Sequence, residues 1–328
     1  MDILAIGDTT EDIFMQLHDA TLQCNLEGDT CRLCLDYGDK IPVDSKIVVS
    51  GVGNAANHAV GVSRLGCKAA IYTVLGNDDE GKRAREVLEK NGVDTSFIAT
   101  DHQHGTNLSV VITFKSERTI LVYHEPREYE LPHNFPVPSW VYLTSVSGGG
   151  VEVLHAQVLD FLEKNPSVRL AFNPGTYQMN LGKNGLLPIL KKTQLVFVNR
   201  EEAARVLEID TKEIAPLVSG FHELGIEHVV VTDGAKGSYV SDKKSIYFLP
   251  IYPGKEVERT GAGDAYGSGF LAALVQGKSI SEAMQWGNAN ATSVVASVGA
   301  REGLLELSAV LHMIEENKDI SPSIHATL

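Results

Sequence analysis

From residue 139 to about residue 232, short apolar runs alternate with stretches of helical period, and this alternation limits the fold more than any other feature. The runs stand at Trp140 to Thr144, Arg169 to Phe172, Leu195 to Val198 and His228 to Thr232. Helical patterns near 152–164, 184–191, 200–207 and 212–224 lie between them. Strand, helix and strand in succession form βαβ units, and their repetition builds a mainly parallel sheet with helices on its faces. Ligands of such sheets gather beyond the C-terminal ends of the strands. Polar residues that directly follow an apolar run are therefore the first candidates for chemistry.

The N-terminal part follows the same plan with interruptions. Ile3 to Ile6 reads as a buried strand ended by Gly7-Asp8, with Asp12 shortly after. A helix through Val60, Val62 and Leu65, capped by Gly66, leads into a strand at Ala69 to Leu75. A second helix, Arg83 to Asn91, ends at Gly92 and is followed by an expected strand, Val93 to Ile98. Segment 13–49 is polar, with short alternating runs such as Thr30-Cys31-Arg32-Leu33-Cys34-Leu35, as strands of a flap with one wet face would be. Residues 105–126 read as a β-hairpin, Leu108 to Phe114 and Thr119 to Tyr123, around the turn Lys115-Ser116-Glu117-Arg118. The tail after Lys318 reads as loosely held.

A chain of 328 residues with 43% hydrophobic and 21% charged residues can bury a large core. Its net charge of −14 argues against non-specific binding to nucleic acid or to an anionic membrane, which both need a positive field. The early acid Asp2 and the short apolar run after it fit a first strand, not a signal peptide, and no stretch approaches a membrane span. A soluble cytoplasmic protein is the expectation. Cys31 and Cys34 have metal-ligand spacing, with His18 and Cys24 nearby, but no second such pair accompanies them. Reduced, partly buried thiols are expected for Cys24, Cys31, Cys34 and Cys67.

The most pointed chemical signal is Gly261-Ala262-Gly263 directly before Asp264, followed by a helical pattern carrying Phe270, Leu271 and Leu274. Small residues at a helix start leave backbone N–H groups open to an anion, and an acid beside them can accept a proton from a hydroxyl. A donor nest beside a base suits phosphoryl transfer to an alcohol. The same residues could form a plain glycine-rich turn with Asp264 as an ordinary first-turn acid. Asn199 and Glu202 have the spacing of a capping box, and the turn Thr232-Asp233-Gly234-Ala235-Lys236-Gly237 could approach a nucleotide or merely connect strands.

Thr260-Gly261-Ala262-Gly263-Asp264 resembles the second signature of the ribokinase family, the PfkB carbohydrate kinases. Gly53, Ala55, Asn57, Ala59, Gly66 and Gly76 resemble its first signature, and Asn199-Arg200-Glu201-Glu202 resembles its Asn-x-x-Glu motif. The resemblance covers Gly7 to about Gly303. It implies one domain over 1–328 with a ribokinase-like three-layer α/β fold, and a β-lid from insertions at roughly 13–49 and 105–126. It implies ATP-dependent transfer of the γ-phosphoryl group to a hydroxyl of a sugar or related polyol. Asp264 would be the base, with Gly261, Ala262 and Gly263 as the anion hole; Asp12, Gly53 and Asn57 would bind the sugar. Asn199, Glu202, Thr232, Gly234, Gly237 and Asn288 would serve the nucleotide, with Mg2+ held near Glu202, usually through water. Lids of relatives often pair two subunits, which makes a homodimer the expected assembly. Glu258-Arg259-Thr260 replaces the usual Asp-Thr-Thr, so a monovalent cation, which many relatives hold partly through that first acid, is left open. Val52 stands where Gly or Ala is usual, and His58 and Arg118 could add sugar contacts or be surface residues. A nucleoside kinase on the same frame and a non-catalytic binder are the alternatives; the intact Asp264 counts against the binder.

Overall fold

A computed structural model describes residues 1–328 apart from 26–30, 116, 133 and 134. Ser116 of the expected hairpin turn, Thr30 and the middle of the 13–49 lid segment thus lie outside the described residues.

The strands are β1 (Ile3–Ile6), β2 (Thr10–Leu17), β3 (Thr21–Cys24), β4 (Cys31–Cys34), β5 (Val43–Val52), β6 (Ala69–Tyr72), β7 (Val74–Gly76), β8 (Ala99–Asp101), β9 (Asn107–Phe114) and β10 (Glu117–Tyr123). They continue as β11 (Trp140–Leu143), β12 (Arg169–Phe172), β13 (Leu195–Asn199), β14 (His228–Thr232), β15 (Ser238–Ser241), β16 (Ser245–Leu249) and β17 (Ser323–Thr327). The helices are α1 (Asn54–Arg64), α2 (Asp79–Lys90), α3 (Val151–Lys164), α4 (Thr176–Met179), α5 (Gly182–Leu190), α6 (Arg200–Leu207), α7 (Ile214–Glu223), α8 (Ala262–Val275), α9 (Ile280–Val295) and α10 (Leu307–Glu316).

Among the described residues, a nine-stranded sheet runs β17-β16-β15-β14-β13-β12-β11-β1-β6. The strands from β6 to β14 are parallel, and β15, β16 and β17 are added antiparallel at one end. Period-two alternation sends side chains of each strand into two cores. Ile3, Ala5, Trp140 and Tyr142 face the layer that holds α1, α8 and α9. Leu4, Ile6, Val141 and Leu143 face the layer that holds α3, α5, α6 and α7. This is a three-layer α/β architecture with a mainly parallel central sheet.

A second sheet, β10-β9-β2-β5, comes from the two segments read as a lid. It has a small core of its own in Phe14, Val49, Val52 and Val111. On its edge strand β10, Ile120 and Val122 line the main cleft. The residues that alternate with them, Leu121 and Tyr123, are 55% and 56% exposed.

Three local expectations need correction. Residues 93–98 form no strand: only Asp94 bridges Ala70, and the Asp94 carboxylate accepts from Ser96 N at 2.9 Å, turning the chain so that the strand starts later, as β8. The tail is not loose, because β17 supplies the edge partner of β16. The thiols of Cys24 and Cys31 are not reduced; the two are direct cross-strand partners in the β3–β4 hairpin and form a disulfide. Cys34 and Cys67 are free.

Candidate active site

Where the parallel strands end, a cleft of about 1240 Å³ opens between the main sheet, the lid and the start of α8. Helix α8 is buried from Asp264 to Ala273, so packing holds the helix immediately behind its open first residues, Ala262 and Gly263. The chain enters that helix through Gly261 at φ +79°, and a Cβ there would lie 2.6 Å from the Ala300 Cα. Only glycine fits the conformation and the gap. Gly261, Ala262 and Gly263 all line the cleft, at the positive end of the helix dipole.

Asp264 lies in that first turn and is 8% exposed. Asn57, from the first turn of α1, donates through Nδ2 to Asp264 Oδ2 at 2.9 Å. Burial pushes the Asp264 carboxyl up to about 6; the Asn57 amide holds it down, and the charge of Glu202 adds to the rise. Among the described residues, Asn57 Oδ1 has no hydrogen-bond partner, although the side chain borders the cleft. Gly53, just before α1, lets that helix start close against the turn between β1 and β2: at φ +100°, its missing Cβ would lie 2.8 Å from the Asp8 carbonyl oxygen.

At the lid end, Asp12 sits on β2 beside Ser109 of β9, its register partner. Thr10 Oγ1 donates to Asp12 Oδ1 at 3.2 Å. Burial raises the Asp12 carboxyl to about 6, against the Ser109 and Thr10 hydroxyls; the charge of Glu258 adds to the rise. Arg118 Nη1 on β10 reaches Glu258 Oε1 at 3.3 Å, while Glu258 Oε2 accepts from Gly299 N at 2.8 Å. Glu258 Oε1 also accepts from Thr260 Oγ1. The edge strand β10 is thereby tied to the segment that leads into the turn Gly261-Ala262-Gly263.

At the other end, Asn199 and Glu202 cap α6 reciprocally: Asn199 Oδ1 accepts from Glu202 N at 2.9 Å, and Glu202 Oε2 accepts from Asn199 N at 2.8 Å. Both also line the cleft, so the cap and the site coincide. Burial raises the Glu202 carboxyl above its usual range. Thr232 and Gly234 line the cleft beside them. Asn288 lines it as well, while its amide donates to the Pro250 carbonyl at 2.9 Å.

Two expected contacts fall elsewhere. Gly237 does not line the cleft and packs against the backbone of Leu249. His58 is fully buried, stacked on Tyr142 with ring centroids 3.4 Å apart. Sequence reasoning passed over Asp8 and Asn173, which follow β1 and β12 and line the cleft. Asn173 holds the strand ends together, accepting from Thr144 Oγ1 at 3.2 Å and donating to the Phe197 carbonyl at 2.8 Å. Applied to β1 and β12, the rule that ligands meet the C-terminal strand ends finds both residues.

The oxygen-rich wall, the buried carboxylate at a helix N-terminus and the two-ended cleft can hold a polyhydroxyl group at one end and a phosphate chain at the other. Comparison with known proteins agrees with that chemistry. The pfkB family carbohydrate kinase profile matches residues 24–307. A ribokinase of Haemophilus influenzae is 28% identical over 275 residues, 80% of this chain and 87% of that protein. An uncharacterized sugar kinase of Archaeoglobus fulgidus is 32% identical over 261 residues, 75% of this chain and 98% of that protein. Among solved structures, Arabidopsis thaliana ribokinase complexed with ribose and ATP superposes with a TM-score of 0.79 at 21% identity, covering 96% of this chain and 98% of that one.

Proposed function

Since this chain belongs to the pfkB family of carbohydrate kinases, ATP-dependent enzymes that phosphorylate a sugar-type hydroxyl, we propose that Asp264 is the base of its phosphoryl transfer. The observation that carries this assignment is the buried Asp264 carboxylate at the N-terminus of α8, fixed by the Asn57 amide. Asp12, Gly53 and Asn57 form the acceptor end. There a carboxylate and amide oxygens can orient hydroxyls, which require directed partners.

The acceptor hydroxyl gives its proton to Asp264 as its oxygen bonds to the γ-phosphorus. The bond from that phosphorus to the β,γ-bridging oxygen breaks, and ADP leaves with that electron pair. Gly261, Ala262 and Gly263 face the transferring group with backbone N–H dipoles, in place before the charge shifts. Asn199, Glu202, Thr232, Gly234 and Asn288 serve the nucleotide end. The hard oxygen donors of Glu202 and its neighbour Asn199 fit a magnesium ion that keeps several waters. When bound, magnesium neutralises charge on the phosphates. Glu258 is neutralised by the Arg118 guanidinium, so it needs no monovalent cation for that purpose.

Exposed Leu121 and Tyr123 on β10, with Val48 on the same face of β5, favour pairing of two lids in a homodimer. Among the described residues no helix is long and apolar enough to cross a membrane. A cytoplasmic location, where ATP is abundant, fits this activity. The reading is tested by ADP release from the purified chain with ATP, magnesium and a panel of sugars and nucleosides. Turnover with at least one of them is expected, and ADP release that no acceptor stimulates contradicts it.

A further inference from the structure

The acceptor end of the cleft is built from acids whose opposite charges are already committed elsewhere. Asp8 and Asp12 line it, and Asp264 stands at its floor. Among the described residues lining the whole cleft, the basic side chains are Arg118, His124, Arg200, Lys236 and Arg259. Arg118 is bound to Glu258, and Arg259 to Glu256 at 2.7 Å. Arg200 and Lys236 both face Asp233, at the Thr232 end. That leaves His124, which directs its Nδ1 at Asp8 Oδ2 from 3.6 Å.

The Asp8–His124 pair has a second property. Asp8 is 5% exposed; its Oδ1 accepts from Tyr129 OH at 2.7 Å, yet its Oδ2 has no hydrogen-bond partner among the described residues. His124 Nδ1 has none either. A buried acceptor and a ring nitrogen, slightly too far apart to satisfy each other, are both left unpaired, which is a costly arrangement. A hydroxyl group resolves it, because it donates to the carboxylate and accepts from a protonated Nδ1. A phosphate or carboxylate group offers only acceptors, and it would set a second anion against Asp8 and Asp12.

Resting on the kinase reading above, we infer that the acceptor of this enzyme is uncharged, a free sugar, polyol or nucleoside, and that Asp8 with His124 forms the hydroxyl subsite that excludes sugar phosphates and sugar acids. Like charges forced together are disfavoured strongly enough to separate matched neutral and anionic acceptors.

The test is calorimetric titration of the full chain with D-fructose, D-ribose and adenosine, and separately with D-fructose 6-phosphate and D-gluconate. At least one uncharged compound is expected to bind, with the anionic ones at least about 100-fold weaker. Asp8→Asn narrows that gap from both sides, weakening the neutral ligand and tightening the anionic one. If Asp8→Asn fails to fold, His124→Gln at the same subsite still weakens the neutral ligand. An anionic compound that binds as tightly as the best neutral one, or an absence of binding by every neutral one, overturns the inference. Tight binding of a neutral compound with no ADP formed in the presence of ATP upholds the charge rule and fails the kinase reading instead.

Discussion

Asn57 and Asp264, 207 residues apart in the chain, meet at 2.9 Å through an amide-to-carboxylate hydrogen bond. The bond joins the first turns of α1 and α8, the two helices that carry the glycine-rich signatures. It also holds one carboxylate oxygen of Asp264 in place while leaving the group at the cleft wall. Removing the amide in Asn57→Ala takes away a hydrogen bond to a charged group, worth about 1.5–3 kcal/mol. The acid limb of the pH–rate profile should then move up by roughly one pH step or more. An unmoved limb, with only KM changed, would show that Asn57 touches the acceptor alone.

Stability carries a signature of the same carboxylate. Burial raises Asp264 from 3.8 to about 6, so protonation favours the folded state. This contribution is fully present below about pH 4 and is lost as pH rises through 6. Asp264→Asn should therefore be more stable than the parent at pH 8, by up to about 3 kcal/mol, and should converge with it near pH 4. Urea midpoints taken across that range decide the matter, and a pH-independent difference would be inconsistent with a buried, charged Asp264.

Arg118 and Glu258 tie the edge strand β10 to the segment before Gly261, so the two side chains should act as a unit. Arg118→Ala and Glu258→Gln are each expected to lower kcat/KM about 3- to 10-fold, the scale of a partly exposed ion pair with added hydrogen bonds. The double variant should be little worse than either single one. Effects that multiply would mean that the residues contribute separately.

The lid pairing gives a mass prediction. Light scattering at micromolar concentration should report two chains. Leu121→Glu with Tyr123→Glu, on the exposed face of β10, should return the mass of one. A single-chain mass for the unaltered protein would contradict the homodimer.

Much of this molecule is legible in its sequence because its signals are local. Helix α6 is written at 200–207 and observed as Arg200–Leu207, since the Asn199–Glu202 cap fixes its start. The βαβ alternation reads through for the same reason: period and turn chemistry act over few residues. What escaped depends on distant partners. The tail becomes β17 only because β16 presents an open edge. Cys24 and Cys31 pair only because their hairpin register sets them opposite. At the site, Asp264 and Asn57 could be named from motifs, whereas their mutual bond could not. The place of Asp8 at the end of β1 was legible, whereas its contacts with Tyr129 and His124, more than a hundred residues away, were not.

The central claim is that Asp264 takes the acceptor proton. Single-turnover and steady-state kinetics of Asp264→Asn, with nucleotide affinity measured on the same preparation, address it directly. The substitution keeps the size of the side chain and its hydrogen bond from Asn57 but removes the basic oxygen. The account predicts a kcat about 10²–10⁴-fold lower, with ATP affinity close to that of the parent. A variant that retains near-parental kcat would contradict it and move the base elsewhere.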